Sequence, residues 1–162
     1  MTAFSFGAET QDIDASTPWI AASDDNLILL QTSLQKLDIP ITAADSNGLT
    51  FVHSAASYGS LETLRWLLSQ DRINVNAMDS DGDTPLHHCD DVESARILIE
   101  EGHCDFTKEN NEMKTARYIK EEEMKALINH EDSSDDDIES LRDLVNYLKK
   151  TENENKEISM EQ

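Results

Sequence analysis

Basic residues and cysteines are both scarce in this chain of 162 residues. It contains 13 Lys and Arg against 34 Asp and Glu, so its formal net charge is -21. A surface of that sign repels nucleic acid and anionic lipid and attracts basic proteins. Two cysteines, Cys89 and Cys104, are too few for a disulfide framework and are typical of a reducing compartment. We therefore expect a cytoplasmic protein, a nuclear one or both, with neither nucleic acid nor a membrane as its direct partner.

Glycine and long apolar runs are scarce as well. No apolar run reaches the roughly 18 residues of a membrane span, and the N-terminus lacks the basic start and apolar core of a secretory signal. None of the five glycines belongs to a nucleophile elbow, a phosphate-binding loop or a nucleotide fingerprint. The five histidines include no pair at zinc-finger spacing. We expect no enzyme, no cofactor and no metal site.

A short motif is present twice in the chain. The first copy is Asp45-Ser-Asn-Gly-Leu-Thr-Phe-Val-His53, and the second is Asp79-Ser-Asp-Gly-Asp-Thr-Pro-Leu-His87. In each copy Asp-x-x-Gly predicts a tight turn, and the segment that begins with Thr predicts a helix start. The step from Asp45 to Asp79 is a period in the low thirties, which is typical of helical repeat arrays. The motif resembles the opening of an ankyrin repeat, and the resemblance covers roughly residues 17–129.

The resemblance implies an all-α solenoid of about four units, each with a short β-hairpin-like loop and two helices. Short helix pairs are stable only when stacked, and the end units need polar outer faces. The predicted order is a disordered N-terminus (1–14), a repeat domain (15–129, with units of about 15–44, 45–78, 79–109 and 110–129), an acidic linker (130–137), an amphipathic helix (138–150) and a disordered tail (151–162).

Two units depart from the family pattern. The third is about two residues shorter, so its inter-helix turn near Asp90 and Asp91 is expected to be tighter or differently shaped. The fourth has Met113 where the hairpin glycine stands, and a methionine there has to accept backbone strain or change the turn type.

The C-terminal segment contains one apolar helical face, formed by Ile138, Leu141, Leu144, Val145 and Leu148. Acidic residues precede this face and two lysines follow it, which suits the helix dipole. The pattern is compatible with two roles, because the helix could cap the last repeat or could bind a partner.

Two serines in the acidic linker, Ser133 and Ser134, have acids three positions later. This context resembles the sites of acid-directed serine kinases, so both are candidate phosphorylation sites. A phosphate adds about -1.5 to -2 charges per site at the start of the helix.

Histidine and tryptophan are assigned structural roles. The resemblance implies that His53 with Thr50, and His87 with Thr84, form hydrogen bonds within and between loops. We expect Trp19 to cover the open N-terminal end of the stack and Trp66 to pack against a neighbouring unit or flank.

The resemblance also implies that a partner binds on a concave face, made of the hairpin tips and the exposed sides of the first helices. Tyr58 is a candidate aromatic anchor there. The acids around it predict a Lys- or Arg-rich partner segment with salt-dependent association, although the same charges could serve solubility alone. The candidate partner-binding residues are Asp24, Asp25, Asn47, Ser54, Tyr58, Asp81, Asp83, His88, Asp90, Asp91 and Glu112.

These features predict a monomeric, non-enzymatic protein–protein interaction module, an adaptor or a regulatory subunit. The alternative is an acidic chaperone or escort for basic proteins such as histones or ribosomal proteins, in which the acidic tail does the binding. Deletion of residues 131–162 would separate the two, since an escort would lose most of its binding.

Overall fold

The computed structural model describes residues 12–130 and 134–160, with side chains through residue 157. In the described residues the regular structure is helical, apart from the isolated antiparallel bridges Ala44–Thr50 and Glu109–Thr115 that close two hairpins. None of these helices is both long enough and apolar enough to cross a membrane. The helices are α1 (Thr17–Ser23), α2 (Leu27–Leu37), α3 (Phe51–Ser57), α4 (Leu61–Leu68), α5 (Val92–Arg96), a π-helical continuation of α5 (Ile97–Glu101), α6 (Ala116–Ile128) and α7 (Asp135–Met160).

The helices pack in consecutive pairs, α1 with α2, α3 with α4 and α6 with α7, and neighbouring pairs stack on one another. The predicted all-α repeat solenoid is therefore confirmed. Paired alanines allow α1 and α3 to approach closely, because Ala21, Ala22, Ala55 and Ala56 are all fully buried. Larger apolar residues continue this core along the stack, and a fully buried leucine contributes roughly 1.5–3 kcal/mol. They include Phe51, Leu64, Leu67, Ile97, Leu98 and Leu144.

The third unit lacks its first helix. The backbone N–H groups of His87, His88 and Cys89 donate to carbonyls three residues earlier, which describes turns rather than an α-helix. The helix start predicted at Thr84 is therefore corrected. Because this unit is shorter, Asp91 already begins α5 by accepting a 2.8 Å bond from the N–H of Ser94. Too few residues remain before it for two turns of helix.

The fourth hairpin has the same form as the second and third, although Met113 replaces the glycine. Met113 has a φ of 60°, close to the left-handed region in which Gly48 and Gly82 lie. The N–H of Met113 donates to Asn110 at 2.9 Å, as that of Gly82 donates to Asp79 at 3.1 Å. Of the two predicted outcomes, the backbone accepts the left-handed conformation, at a cost of roughly 1–2 kcal/mol.

Helix α7 takes the place of the second helix in the fourth unit. Its residues Leu141, Leu144, Val145 and Leu148 are buried against the array. Two ion pairs join its outer half to α6, Arg117–Glu152 at 2.9 Å and Lys149–Glu121 at 2.7 Å. Of the two roles compatible with the sequence pattern, this packing is that of a cap.

The bounds of α7 differ from the predicted ones. The helix begins at Asp135, inside the predicted linker, and continues to Met160 through most of the predicted disordered tail. Glu152 explains part of the extension, because its ion pair holds the helix against α6 beyond Lys150. At the other end of the chain, residues 1–11 lie outside the described residues. Asp14 is ordered, and its side chain accepts the N–H groups of Ser16 and Thr17 at the start of α1.

A candidate protein-binding face

One ring N–H group in each of the first three units binds the hairpin of the next unit. His53 Nε2 lies 3.1 Å from the carbonyl oxygen of Asp83, and His87 Nε2 lies 3.0 Å from that of Lys114. Trp19 stands one repeat period before His53 and donates its Nε1–H to the carbonyl of Leu49 at 2.9 Å. Trp19 thus substitutes for the histidine of the motif. It also packs on Phe51, with ring centroids 4.6 Å apart.

The neighbouring hydrogen bonds fix the tautomer of both histidines. The backbone N–H groups of Thr50 and Thr84 donate to Nδ1 of His53 and His87, each at 3.1 Å. Nδ1 is therefore an acceptor, and Nε2 carries the proton that reaches the next unit. Burial lowers the pKa of both rings, against the opposing effect of their bonds to the carbonyls of Asp83 and Lys114. Both histidines are neutral structural links, as the resemblance implied.

We expect the protein to lose stability between pH 7.5 and 5.5. The folded pKa of His53 and His87 lies below 6.5, so the unfolded chain binds more protons than the folded chain in this window. The free energy of unfolding therefore decreases as the pH is lowered. Urea unfolding at the two pH values measures the loss. His53→Asn and His87→Asn, combined, should give a flatter dependence than the wild type. Equal slopes in the two proteins would contradict the assignment.

The hairpin tips are joined by backbone hydrogen bonds, which hold the exposed side chains in a row. The N–H and hydroxyl of Ser80 both donate to the carbonyl of Asn47, at 2.8 Å. The N–H of Asn111 donates to the carbonyl of Asp81 at 3.0 Å. The tips of the second, third and fourth units therefore have a fixed spacing.

Several predicted binding acids have structural partners instead. Asp25 caps α4 of the next unit, because its carboxylate accepts the N–H of Thr63 at 2.7 Å. Asp91 caps α5, and Asp83 accepts a 2.7 Å bond from the side-chain amide of Asn110. Asp90 forms an ion pair with the buried Lys120 at 2.9 Å. These four side chains contribute to the fold, so any partner would have to compete with their present contacts.

The other candidate residues differ in how far they are exposed. Tyr58 is 72% exposed at the end of α3, and Asp24 and Asp81 are exposed acids. Glu112 is exposed but pairs with Lys114 at 2.8 Å. The carbonyl of Asn47 accepts the hydrogen bonds from Ser80, and the side chain of Asn47 is exposed. Ser54 and His88 are half-buried, and His88 lies on the turn of the third unit rather than on a helix.

Sequence reasoning missed two apolar members of the same face. Ile20 stands one repeat period before Ser54, in the same position of the first unit, and is 52% exposed. Ile119 occupies in the fourth unit the position that His88 occupies in the third. The repeat period alone could have found both. Ile119 lines a cleft of about 540 Å³ between the third and fourth hairpins, with Asp81, Asp83, Asn110, Asn111, Glu112 and Lys114.

The only group in the described residues with the make-up of a metal site is His53, Asp79 and His88, whose candidate ligand atoms lie within 4.8 Å of one another. Both ring nitrogens of His53 are already hydrogen-bonded. Asp79 accepts the N–H groups of Asp81 and Asp83 and contacts Nε2 of His88 at 2.8 Å. These bonds keep the pKa of Asp79 below its usual value although burial opposes this. The group closes the third hairpin.

The two cysteines and the two candidate serines have different settings. Cys89 and Cys104 are buried free thiols, and burial raises the pKa of Cys89 and brings that of Cys104 to about 12. Neither is a reactive thiolate at neutral pH. Ser134 is exposed and its hydroxyl accepts the N–H of Asp137 at 3.1 Å, at the start of α7. Ser133 lies outside the described residues.

Comparisons with known proteins agree with the repeat architecture. The family model described as ankyrin repeats (3 copies) matches residues 19–110. An ankyrin repeat-containing protein of Schizosaccharomyces pombe is 39% identical over 104 residues, which are 62% of this chain and 48% of that protein. A transient receptor potential cation channel subfamily A member 1 homolog of Caenorhabditis elegans is 36% identical over 67 residues, 41% of this chain and 6% of that protein. The chain thus spans about half or less of these curated relatives. It belongs to the ankyrin repeat family, whose members are typically non-enzymatic protein–protein interaction modules.

Proposed function

We propose that the chain is an adaptor or a regulatory subunit, in the cytoplasm, the nucleus or both, that binds a partner protein on its concave face. The observation that carries the proposal is the set of exposed apolar side chains that the fold does not use. Ile20 lies on α1 and is 52% exposed, and Tyr58 lies at the end of α3 in the next unit and is 72% exposed. Tyrosine is among the residues that dominate the energies of protein interfaces when a partner buries them.

The partner segment should combine apolar side chains with Lys or Arg. Asp24 and Asp81 are exposed acids on the same face, and the whole chain has a formal net charge of -21. Such a field speeds the approach of a basic segment, and the rate falls as salt is added. The acids that cap helices contribute to this field without having to leave their present partners.

The escort alternative depends on a free acidic tail, and the packing of α7 does not favour it. The described part of the tail is one helix with a buried face, and Glu152 is in an ion pair with α6. Deleting residues 131–162 would also expose the core beneath Leu144, so loss of binding would have two explanations. Neutralising exposed acids of α7, such as Glu139 and Asp143, is a cleaner test of that alternative.

We expect a change of three concave-face residues to reduce recovery of the partner at least tenfold. The variant Ile20→Ser, Tyr58→Ala and Asp81→Asn removes two anchors and one charge, and loss of a single anchor typically costs about 2 kcal/mol. Quantitative mass spectrometry of proteins captured by the tagged chain gives the comparison with the wild type.

The control changes Ile28, which is 79% exposed on the second helix α2, to Ser and the exposed Asp71, after α4, to Asn. The control should recover the same partner as the wild type. Equal losses in the two variants would move the binding site away from the concave face. Loss with the α7 variant Glu139→Gln and Asp143→Asn alone would favour the escort.

A further inference from the structure

A cleft lined by described residues lies away from the hairpins, between the end of α6 and the beginning of α7. Its volume is about 690 Å³. Ala126, Leu127 and Leu141 supply its apolar surface, and Asp90, Glu123 and Asp137 supply carboxylates. His130 and Ser140 complete the lining. An apolar site with a few charged groups around it is the usual form of a binding cleft.

The length of α6 accounts for the position of the cleft. Helix α6 has 13 residues, whereas the first helices of the first and second units, α1 and α3, have 7 each. The last turns of α6 therefore extend beyond the length of a regular first helix, and the cleft lies beside them. Asp90 is the third-unit residue that reaches the cleft, and Ser140 donates to its carbonyl at 3.3 Å.

The charges around the cleft do not cancel. Lys120 is buried and its ammonium pairs with Asp90 at 2.9 Å and with Glu123 at 2.8 Å. Asp137 accepts a 2.7 Å bond from the hydroxyl of Ser134, which leaves its negative charge in place. The lining therefore has three carboxylates, and two of them share the one ammonium of Lys120. A ligand that adds positive charge beside the apolar surface restores the balance.

We propose that this cleft is a second docking site, which takes a segment of another protein with an apolar side chain between Lys or Arg residues. Residues 1–11 and 131–133 do not have this chemistry, since residues 1–11 contain neither Lys nor Arg and residues 131–133 are Glu-Asp-Ser. A second copy would bring a further formal charge of -21 towards an acidic cleft. With the concave face as the first site, the second would make the chain a bridge between two proteins.

A labelled peptide that represents this chemistry tests the proposal on the full chain. The probe has two leucines flanked on each side by a Lys-Arg pair, and the control peptide has serines in place of the leucines. Fluorescence anisotropy at about 150 mM salt, where surface attraction is screened beyond roughly 8 Å, gives both affinities. We expect the leucine peptide to bind at least tenfold more tightly. In a nitrogen-15 spectrum of the protein, the amide shifts caused by this peptide should centre on Ala126, Leu127 and Ser140.

Two variants place the binding in one site or the other. Ala126→Arg places a long cationic side chain in the lining of the cleft and should weaken binding of the leucine peptide at least tenfold. The concave-face variant Ile20→Ser, Tyr58→Ala and Asp81→Asn should change it less than twofold, so this result does not depend on the first proposal. Absent binding, no preference for leucine, or shifts centred on the concave face would overturn the second site. Self-association abolished by Ala126→Arg would overturn it in favour of a second copy. The wild-type shift map decides the matter if Ala126→Arg does not fold.

Discussion

Gly82→Ala should lower the free energy of unfolding by about 2–3 kcal/mol. Gly82 has a φ of 80°, where an alanine costs roughly 1–2 kcal/mol. A Cβ at this position would also lie 2.7 Å from the backbone nitrogen of Asn111 and 2.6 Å from its Oδ1. The fourth hairpin would have to move, which weakens the bond between the N–H of Asn111 and the carbonyl of Asp81 and costs about 1 kcal/mol more. Urea unfolding measures the difference.

Gly59→Ala is the matched control for this substitution. Gly59 has a φ of 66°, so an alanine there carries a similar backbone cost. The nearest atom to its Cβ would be a carboxylate oxygen of Asp91 at 3.3 Å, at the end of a side chain rather than in the backbone. We expect a loss of only about 1–2 kcal/mol. Equal losses at the two positions would mean that the close approach of the third and fourth hairpins adds nothing to stability.

Leu144→Ala should cost about 2–5 kcal/mol and should do so in a single unfolding transition. Leu144 is fully buried in α7, and shortening a buried leucine removes apolar contact and leaves a cavity. Because α7 takes the place of a second helix in the last unit, its loss of packing destabilises the whole array. Urea unfolding followed by circular dichroism, and in parallel by tryptophan fluorescence, gives the number of transitions.

Asn146→Ala, at an exposed position two residues further along α7, should change stability by less than about 0.5 kcal/mol. If α7 were a separable partner-binding segment, Leu144→Ala would leave the transition of Trp19 and Trp66 unchanged. Two separate transitions in the wild type would lead to the same conclusion.

The parts of the fold that the sequence predicts well are those that depend on the period. Gly48 and Gly82 occupy the same position in the two copies of the motif and lie in equivalent turns. His53 and His87 likewise occupy the same position and form equivalent hydrogen bonds to the next hairpin. The helical face of the tail was equally visible, since its apolar residues recur at helical spacing. The fold class and the existence of the C-terminal helix therefore follow from local patterns, whereas its packing as a cap does not.

The departures from the predicted fold have two physical causes. The third unit loses its first helix because the unit is shorter and Asp91 begins α5 early. The shortening is visible in the sequence, but the pattern at Thr84 does not show that the helix is lost. Glu152 extends α7 because Arg117 lies opposite, 35 residues away in the chain. This second departure depends on a contact between distant segments, which no local pattern contains.

The proposed binding face depends on tertiary contacts that the sequence does not show. Composition identifies acids, but it does not distinguish Asp81, which is exposed, from Asp25, whose carboxylate caps a helix of the next unit. One repeat before Ser54 the sequence has Ile20, and one repeat after His88 it has Ile119, so the repeat period alone indicates both residues. With these apolar residues on the face, the partner segment that we propose combines apolar with basic side chains.

Site-specific photocrosslinking in cells tests the central claim, binding on the concave face, most directly. The full chain would carry p-benzoylphenylalanine at position 58 in place of Tyr58, or at position 28 in place of Ile28, both exposed. We predict that the protein captured by the wild-type chain crosslinks from position 58 and not from position 28. Crosslinks from position 28 alone, or equally from both, would contradict the assignment of the concave face as the binding site.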